Sequence, residues 1–245
     1  MFLLLVLTSC TRENVRGERV IRNAVTDVDG NHYDAVKIGN QVWMQSNLRT
    51  TRFRDGSAIP RGSSSSDYSN SEPYYYKPTT RDSIWIIQEG LPPYNEKTYG
   101  LYYNWPTVDD VRGLCPKGWH VPSKAEWIEL KEYVSSKSEY VSDGDPELIG
   151  KALASTVGWR DFGEGSPGFE PEKNNATGFS AFPTGYGYHQ ELIDMGISAT
   201  FWSSENCGND GDQPFNAWFF ILHTYLSMYA DHTEQGRSVR CLRDK

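Results

Sequence analysis

The sequence is short of the features that mark several large classes of protein. Lysine and arginine number 24 against 32 aspartate and glutamate residues, for a formal net charge of -8. The cations are scattered and form no basic stripe of the kind that nucleic-acid binding needs. No fixed-period repeat is visible, and after the first ten residues no apolar run approaches the roughly 20 residues of a membrane-spanning helix. We therefore expect a single domain without a nucleic-acid partner or a spanning helix.

Catalytic motifs are also missing. The five histidines form no HExxH motif and none has a nucleophile at a telling spacing. We expect a structural role for His120, which lies within Gly-Trp-His-Val-Pro. Acidic residues are plentiful, but one sequence does not show two carboxylates at a working separation. We predict no catalytic residue.

The N-terminus carries the one apolar run of note. Residues 1–10 are apolar, become small towards the end and finish at Cys10, as in the h-region of a signal peptide. Leu7-Thr8-Ser9-Cys10 resembles the bacterial lipobox, in which the cysteine is lipidated after cleavage. We expect an exported protein anchored to the outer membrane or cell surface through Cys10, with residues 11–20 as a charged tether and 21–245 as the domain. A buried N-terminal strand is the less favoured interpretation, and the missing basic segment suggests that the true start lies upstream.

Cysteines are few. If Cys10 is acylated, Cys115, Cys207 and Cys241 remain in an oxidising compartment, where one bridge and one odd thiol are expected. None of them forms a CxxC pair or a zinc-binding spacing. We expect Cys115 to pair with Cys241, which would join the middle of the chain to its last strand.

Strand patterns dominate both ends of the domain. Residues 21–48 alternate between apolar and polar side chains, and the turn-forming dipeptides Asp29-Gly30 and Gly39-Asn40 divide them. This pattern predicts a small antiparallel meander. Strands and glycine-rich loops return after Gly158, including segments 178–183, 200–204, 217–222 and 238–242. Residues 55–95 are interrupted by serine and proline and are predicted to be long loops with two short strands.

Helix signals occupy the middle of the chain. Ser123 is a good N-cap and Glu126 completes a capping box, followed at helical spacing by Trp127, Leu130 and Val134. A second helix is predicted from an Asp145 cap with Pro146 at the first position, ending near Ser155. Its apolar face would comprise Leu148, Ile149, Ala152 and Leu153. Helices flanked by strands predict an α+β fold.

A series of motifs resembles one known family. They occur in register at residues 29–31, 37–48, 99–105, 114–122, 177–181, 201–204 and 238–241, and include KIGNQVWMQSNL, LCPKGWHVP and SVRC. Together they are similar to the Fibrobacter succinogenes major paralogous domain over about residues 25–243. The resemblance implies a C-type lectin-like fold on lipoproteins and secreted proteins of Bacteroidetes and Fibrobacteres, with no generally established activity. It also implies that Cys115 and Cys241 pair, matches no family cysteine to Cys207, and marks 55–97 as an insert.

Calcium is the one cofactor that the sequence leaves open. Asp27-Val28-Asp29-Gly30-Asn31 resembles the start of a calcium loop, but no bidentate glutamate follows at the twelfth position. A turn is therefore the favoured interpretation. Lectin-like folds that bind sugars through calcium usually carry Glu-Pro-Asn or Gln-Pro-Asp, whereas Gln213-Pro214-Phe215 lacks the last oxygen ligand. Asp212 and Asn216 leave a variant site open, but we expect no metal.

Aromatic residues are abundant, with 8 Trp, 15 Tyr and 10 Phe. We expect the tryptophans of the motifs to be buried, because large aromatic side chains dominate burial; these are Trp43, Trp105, Trp119, Trp127, Trp202 and Trp218. Tyrosines in loops or on polar strand faces suit a sugar face or a protein partner. The predicted ligand surface comprises Tyr186, Tyr188, His189, Tyr225, Tyr229 and His232.

These observations favour a surface-exposed binding or adhesion module for a glycan or protein ligand. The alternative is an enzyme of the formylglycine-generating, sulfatase-modifying type, which shares the lectin-like architecture. Fold alone does not carry function from one protein to another. Those enzymes use two reactive cysteines, whereas the only spare thiol expected here is Cys207. A subunit of a surface appendage would need a donor strand or a cleavage site that the sequence does not show.

Overall fold

The computed structural model describes residues 20–62, 71–188, 191–206, 214–220, 225–230 and 235–245. For residue 80 and residues 215–220 it describes the backbone alone. The predicted signal segment with Cys10, residues 11–19 of the tether and Cys207 lie outside the described residues. No helix in the described part of the chain is long and apolar enough to cross a membrane.

The secondary structure consists of short strands and short helices. The strands are β1 (Val20–Thr26), β2 (His32–Ile38), β3 (Gln41–Met44), β4 (Tyr75–Tyr76), β5 (Tyr102–Tyr103), β6 (Trp119–His120), β7 (Tyr186–Tyr188), β8 (Glu191–Ile193), β9 (Ser198–Asn206), β10 (Pro214–Phe220), β11 (Leu226–Ala230), β12 (Gln235–Gly236) and β13 (Leu242–Arg243). The helices are α1 (Thr80–Gln88), α2 (Glu96–Tyr99), α3 (Trp105–Val108), α4 (Lys124–Ser135) and α5 (Gly150–Leu153), with a 3-10 turn at Pro171–Lys173. The α+β prediction is confirmed.

The described strands form antiparallel sheets. A five-stranded sheet has the order β1-β2-β3-β13-β6, so the predicted meander is confirmed and the C-terminal strand lies between β3 and β6. Leu242 of β13 is opposite both Trp43 and His120. Two three-stranded sheets have the orders β11-β10-β9 and β12-β7-β8, and β4 pairs with β5. The first and the last of the described strands therefore lie in one sheet.

Hydrophobic residues cover both faces of the five-stranded sheet. Successive residues of a strand point to opposite faces, and accordingly Val36 and Trp43 belong to one buried cluster while Ala35 and Met44 belong to another. The first cluster includes the inner face of α4, where the Trp127 ring lies 4.7 Å from that of Trp43. The buried tryptophans are Trp43, Trp105, Trp119, Trp127 and Trp202, as predicted. The side chain of Trp218 lies outside the description.

Helix α4 begins and ends close to where the sequence places it. The Ser123 hydroxyl accepts a hydrogen bond from the Glu126 backbone, and the Glu126 carboxylate accepts one from the Ser123 backbone, which completes the predicted capping box. His120 joins this cap: Nε2 lies 3.0 Å from Glu126 Oε1 and Nδ1 lies 2.7 Å from Asp244 Oδ1. The histidine thus links the helix N-terminus to the C-terminal end of the chain.

The capping box gives a pH-dependent prediction. Burial by itself would raise the pKa of Glu126, but hydrogen bonds from Ser123 and His120 outweigh it and hold that pKa below its ordinary value. A carboxylate with a lowered pKa stabilises the folded state above its unfolded pKa near 4.3, and this contribution disappears as the pH falls through the folded-state pKa. Glu126→Gln is therefore expected to lower the free energy of unfolding by about 1 kcal/mol at pH 7.

Urea denaturation at pH 7 and pH 3 tests this expectation, with Glu132→Gln as the control because Glu132 is exposed on the same helix and outside the capping box. The difference in the free energy of unfolding between Glu126→Gln and the unaltered chain should be smaller at pH 3 than at pH 7. A difference of the same size at both pH values would contradict the assigned role of the carboxylate.

The start of the second predicted helix was wrong. The second helix does not begin at Asp145: α5 is a single turn starting at Gly150, with Ile149 as its N-cap. The Asp145 carboxylate instead accepts from the Glu147 backbone 2.9 Å away, within a turn that Ser142 and Leu148 close by backbone hydrogen bonds. This turn satisfies the backbone locally and leaves no reason for a helix to extend through it.

The segment from 55 to 95, predicted to be loops and short strands, contains α1. Thr79 and Asp82 form a capping box at its start. The prolines on both sides favoured a loop prediction, and the helix was therefore missed. Ile86 on its inner face is buried with Leu91 and Phe182. In segment 178–183, predicted to be a strand, the described pairing is an isolated bridge between Ala181 and Ala154.

One disulfide joins Cys115 to Cys241, as the resemblance implied. The Cα atoms are 6.0 Å apart, and the cross-link spans 126 positions of sequence. Both cysteines are buried, in the same hydrophobic cluster as Trp119 and Trp202. The bond therefore fixes the terminal strand against the segment that leads into α4.

A buried arginine holds three parts of the chain together next to this bond. Arg240 donates hydrogen bonds to Asn47 Oδ1 at 2.6 Å and to the carbonyl oxygen of Phe179. Its guanidinium carbon also lies 4.6 Å from the centre of the Phe179 ring. Burial lowers the pKa of Arg240 to about 9, so the side chain is charged at neutral pH. Asn47 in turn donates to the Tyr99 carbonyl and to the Ser238 hydroxyl, at 3.0 and 3.2 Å.

Candidate functional site

An open groove of about 540 Å³ lies between α4 and strand β11. This volume falls within the range of roughly 300–1,000 Å³ that is common for small-ligand sites. Strand β11 is an edge strand of its three-stranded sheet, so α4 and this edge of the sheet form the two walls of the groove. The groove was not predicted as a site, although one of its residues was.

The helix wall follows from the register of α4. Trp127, Leu130 and Val134 face the core, and the residues at the next helical positions line the groove. These are Ile128, Lys131, Glu132 and Ser135. Because burial of Trp127, Leu130 and Val134 fixes the rotation of the helix about its axis, it also determines which side chains face the groove. The spacing of these four residues was visible in the sequence, but the strand opposite them was not.

The strand wall carries the exposed aromatic side chain. Tyr229, a predicted ligand residue, is 54% exposed, and with Met228 and Ser227 it borders the groove. The regular pairing of β10 with β11 places its side chain on the sheet face opposite to Leu226 and Met228, which pack in the cluster that includes Trp127 of α4. On the helix wall Ile128 is 36% exposed, whereas Leu226 of the strand wall is buried. The groove therefore offers the exposed aliphatic side chain of Ile128, and an exposed tyrosine stands on the edge strand beside it.

Polar groups form the rest of the lining. Lys131 Nζ lies 2.6 Å from Glu147 Oε2, and this ion pair holds the turn at 145–147 against the helix. Ser135 donates to the Pro146 carbonyl oxygen at 2.7 Å and fixes the same turn. Glu132 is exposed, and among the described residues its carboxylate has no ion-pair or side-chain hydrogen-bond partner. Glu132 is thus available to accept hydrogen bonds from a ligand.

The other predicted ligand residues are divided between two places. Tyr225 is half-buried and directly precedes β11, close in sequence to Tyr229. Tyr186 and Tyr188 lie on β7, in the other three-stranded sheet. Strands β10 and β9 stand between β11 and Gly185, which bridges to Ala199 and leads into β7. His189 and His232 lie outside the described residues.

The side chain of Tyr186 has a different environment from that of Tyr229. It packs against Arg237, whose guanidinium carbon lies 5.2 Å from the Tyr186 ring centre and 5.3 Å from that of Trp202. Arg237 is fully buried and also donates to Gln235. The half-buried tyrosine thus helps to cover a buried cation.

The segment that resembles a calcium loop is a turn, which was the favoured interpretation. Asp27 accepts hydrogen bonds from the backbones of Asp29 and Asn31 through Oδ1, and from the Asn31 amide and the Tyr33 hydroxyl through Oδ2. Tyr33 is buried, and its burial together with the hydrogen bond to Asp27 raises the pKa of its hydroxyl group. Asp27 therefore organises the turn between β1 and β2.

The second carboxylate of this segment is engaged as well. Asp29 Oδ2 accepts from the Thr51 backbone at 2.5 Å and from its hydroxyl at 2.9 Å, and Oδ1 lies 3.2 Å from Arg52 Nε. Across the described ranges, no group of three or more histidine, cysteine, aspartate or glutamate side chains is placed to hold a metal ion. The variant sugar and calcium site at Asp212, Gln213 and the Asn216 side chain lies outside the description.

Comparison with known proteins gives one match. The family model of the Fibrobacter succinogenes major domain matches residues 36–243, which contain both cysteines of the disulfide and the whole groove. No curated protein and no solved structure matches the chain.

Proposed function

The chain belongs to the Fibrobacter succinogenes major domain family, and from that premise we propose that it is a non-catalytic binding or adhesion module for a glycan or protein ligand. We further propose that the domain has the C-type lectin-like architecture which the sequence motifs imply. The observation that carries the binding proposal is the groove between α4 and the edge strand β11, where Ile128 and Glu132 are exposed and the strand wall carries the exposed Tyr229. Concave sites with apolar walls and a few polar groups are where small ligands usually bind.

The proposal places the protein on the cell exterior, anchored by lipid on Cys10 at the outer membrane or cell surface. Its support is the sequence Leu7-Thr8-Ser9-Cys10 and the charged run that follows. The buried disulfide is consistent with this location, since disulfides persist in oxidising compartments. The anchor would be the only membrane contact.

An enzyme of the formylglycine-generating type is the alternative, and it has less support. Such an enzyme needs two reactive cysteines, whereas Cys115 and Cys241 are bonded to one another and buried. A thiolate must be exposed enough to react. With those two cysteines in a structural role, Cys207 would have to act without either of them.

Replacing Tyr229 tests the binding proposal. The full chain carrying Cys10→Ser, which cannot be acylated, is applied to immobilised glycans and to extracellular matrix proteins. We expect saturable binding to at least one of them and a loss of roughly tenfold in affinity for Tyr229→Ala, equivalent to about 1.4 kcal/mol. EDTA should leave binding unchanged, because the Asp27 and Asp29 carboxylates are engaged by the protein itself.

Phe162→Ala is the matched control, since Phe162 is 50% exposed and does not line the groove. Equal losses in the two variants, or an absence of binding to every immobilised ligand, would contradict the proposal.

A further inference from the structure

The edge of the sheet that borders the groove leads to a more specific inference, which rests on the proposed function because it concerns the same groove. We infer that the ligand is an extended segment of another protein, which adds to β11 as a further strand and lies in the groove against α4. Glu132 selects a segment that carries a lysine or arginine side chain on the face turned towards the helix.

Strand β11 is arranged to accept a further strand. It pairs with β10 in unbroken register from Leu226 to Ala230. On its other side, the described part of the chain places no strand. In an antiparallel pair, every second residue turns its backbone N–H and C=O groups away from the partner strand. The groove is therefore bordered by a row of main-chain donors and acceptors, which an extended peptide complements.

The sequence of β11 distinguishes it from other edge strands of the chain. Proteins usually protect strand edges with bulges, covering segments, short length, charged side chains or proline. Accordingly, β1 has an irregular register between Ile21 and Val25, bridges from Gly185 and Ser238 cover β9, and β8 is three residues long. Among the described residues β11 lacks these devices, because its regular sequence Leu-Ser-Met-Tyr-Ala has neither charge nor proline. An edge of this kind favours pairing with another chain.

The groove runs along both of its walls. Its lining includes two successive turns of α4, from Ile128 to Ser135, and four successive residues of β11, from Leu226 to Tyr229. Each of these stretches is about 10 Å long at the rise of a helix or a strand. A strand added to the sheet would lie about 4.8 Å beyond β11, beside this part of α4.

Alternation along β11 assigns the two faces of the added strand. Leu226 and Met228 point to the side on which α4 packs, so the residues that pair beside them point to the same side. These side chains would meet Ile128 and Glu132 of the helix wall. On the opposite face, the side chains of the added strand would lie beside the exposed ring of Tyr229.

The charges of the groove determine which segment fits against α4. Lys131 is paired with Glu147, so the exposed Glu132 is the uncompensated charge of the lining. A lysine or arginine side chain on the added strand would compensate it, whereas an acidic side chain would be repelled. Ile128 suits an apolar side chain on the same face of that strand.

These features favour a different protein over a second copy of this chain. Two copies joined through β11 would each bring Leu226 and Met228 to the α4 side, where both side chains already pack with the core of their own chain. No residue of β11 is basic, so the β11 of a second copy would leave Glu132 uncompensated. A segment of another protein supplies the cation that β11 lacks.

An array of seven-residue peptides tests the inference. The peptides have the pattern Ser-X-Thr-Lys-Thr-X-Ser, in which X is valine, isoleucine, leucine, phenylalanine or tyrosine, and a matched set has glutamate in place of lysine. Alternation puts X and the central charge on one face of the strand. The full chain carrying Cys10→Ser is applied, and the affinity of the tightest peptide is measured by fluorescence anisotropy. We expect saturable binding of at least one lysine peptide, and roughly fivefold weaker binding of its glutamate counterpart.

Backbone N-methylation of that peptide separates strand addition from other ways of binding in the groove. Methylating alternate residues removes the N–H donors along one edge of the strand and leaves the side chains unchanged. One of the two alternate sets should weaken binding at least about tenfold, because it removes the hydrogen bonds to β11, and the other set should have little effect. Equal effects of the two sets would overturn the addition to β11.

Glu132→Lys is expected to reverse the preference, so that the glutamate peptide binds more tightly than the lysine peptide. Glu172→Lys is the control: it changes the net charge of the chain equally, but Glu172 is exposed and does not line the groove. An unchanged preference in Glu132→Lys, or the same reversal in Glu172→Lys, would overturn the role of Glu132.

The remaining outcomes separate this inference from the proposed function. Binding of no peptide by the folded chain would overturn the inference, and the proposed function would stand if Tyr229→Ala weakens binding to an immobilised glycan. A dimer in analytical ultracentrifugation that the lysine peptide dissociates would show that a second copy occupies the edge, which would also overturn the inference. Binding of neither peptides nor immobilised ligands would contradict both.

Discussion

Replacing both Cys115 and Cys241 by alanine is expected to lower the free energy of unfolding by about 5 kcal/mol. In the chain-entropy model a cross-link restricts the unfolded state more as the loop that it closes becomes longer, and this loop spans 126 positions. Domains are stable by only about 5–15 kcal/mol, so the loss would remove a large share of the total. Guanidinium denaturation monitored by tryptophan fluorescence measures it.

Two comparisons show whether the loss comes from the cross-link. The unaltered chain after reduction should unfold at nearly the same denaturant concentration as the double variant, and Cys207→Ala should unfold where the oxidised chain does. A midpoint in the double variant equal to that of the oxidised chain would show that the bond contributes nothing to stability. A large loss in Cys207→Ala would show that the third cysteine has a structural role of its own.

Asn47→Ala is expected to cost about 3 kcal/mol, because it removes the hydrogen bond to a buried charge and leaves other polar groups without a partner. Asn47 accepts from Arg240 at 2.6 Å and donates to the Tyr99 carbonyl at 3.0 Å, and it is itself fully buried. The cost should fall when Arg240→Met is also present, since the charge that Asn47 satisfies is then gone. Urea denaturation of the two single variants and the double variant measures this coupling.

The expected coupling is at least about 1 kcal/mol, as for residues in direct contact. Asn95→Ala is the control: Asn95 is exposed and caps α2 by accepting from the Thr98 backbone, so a loss of about 1 kcal/mol is expected there. Additive losses in the Asn47 and Arg240 variants would mean that the hydrogen bond between them does not stabilise the fold.

Local signals in the sequence were sufficient for the elements that local chemistry governs. The turn at Gly39-Asn40 needs a backbone with a positive φ, and Gly39 has a φ of 60° while a Cβ there would lie 2.8 Å from the Tyr133 ring. The capping box of Ser123 and Glu126 likewise specifies the start of α4 within a few residues of sequence. The meander and helix α4 were therefore predicted correctly.

Two elements for which signals in the sequence compete were not predicted correctly. The Asp145 carboxylate can cap either a helix or a turn. Here the backbone hydrogen bonds between Ser142 and Leu148 stabilise the turn. In the insert, the prolines at 73, 78, 92 and 93 concealed α1, which is stabilised by the burial of Ile86 against Leu91 and Phe182. The first error concerns a choice between two local hydrogen-bond patterns, and the second concerns a helix whose burial depends on Phe182, a partner distant in sequence.

The sequence by itself determined the α+β class, the meander and the capped helix, because each depends on residue types at fixed spacings along the chain. Its motifs also determined the family, and the resemblance to that family implied the pairing of Cys115 with Cys241. Only the tertiary structure decided that Tyr229 lies on the edge strand that borders a groove, while Tyr186 packs against Arg237 and belongs to another sheet. The physical reason is that the order of strands in a sheet sets the distance between residues that are far apart in sequence. Alternation along the chain gave Tyr186 and Tyr229 the same predicted role, but it did not show that β10 and β9 lie between their strands.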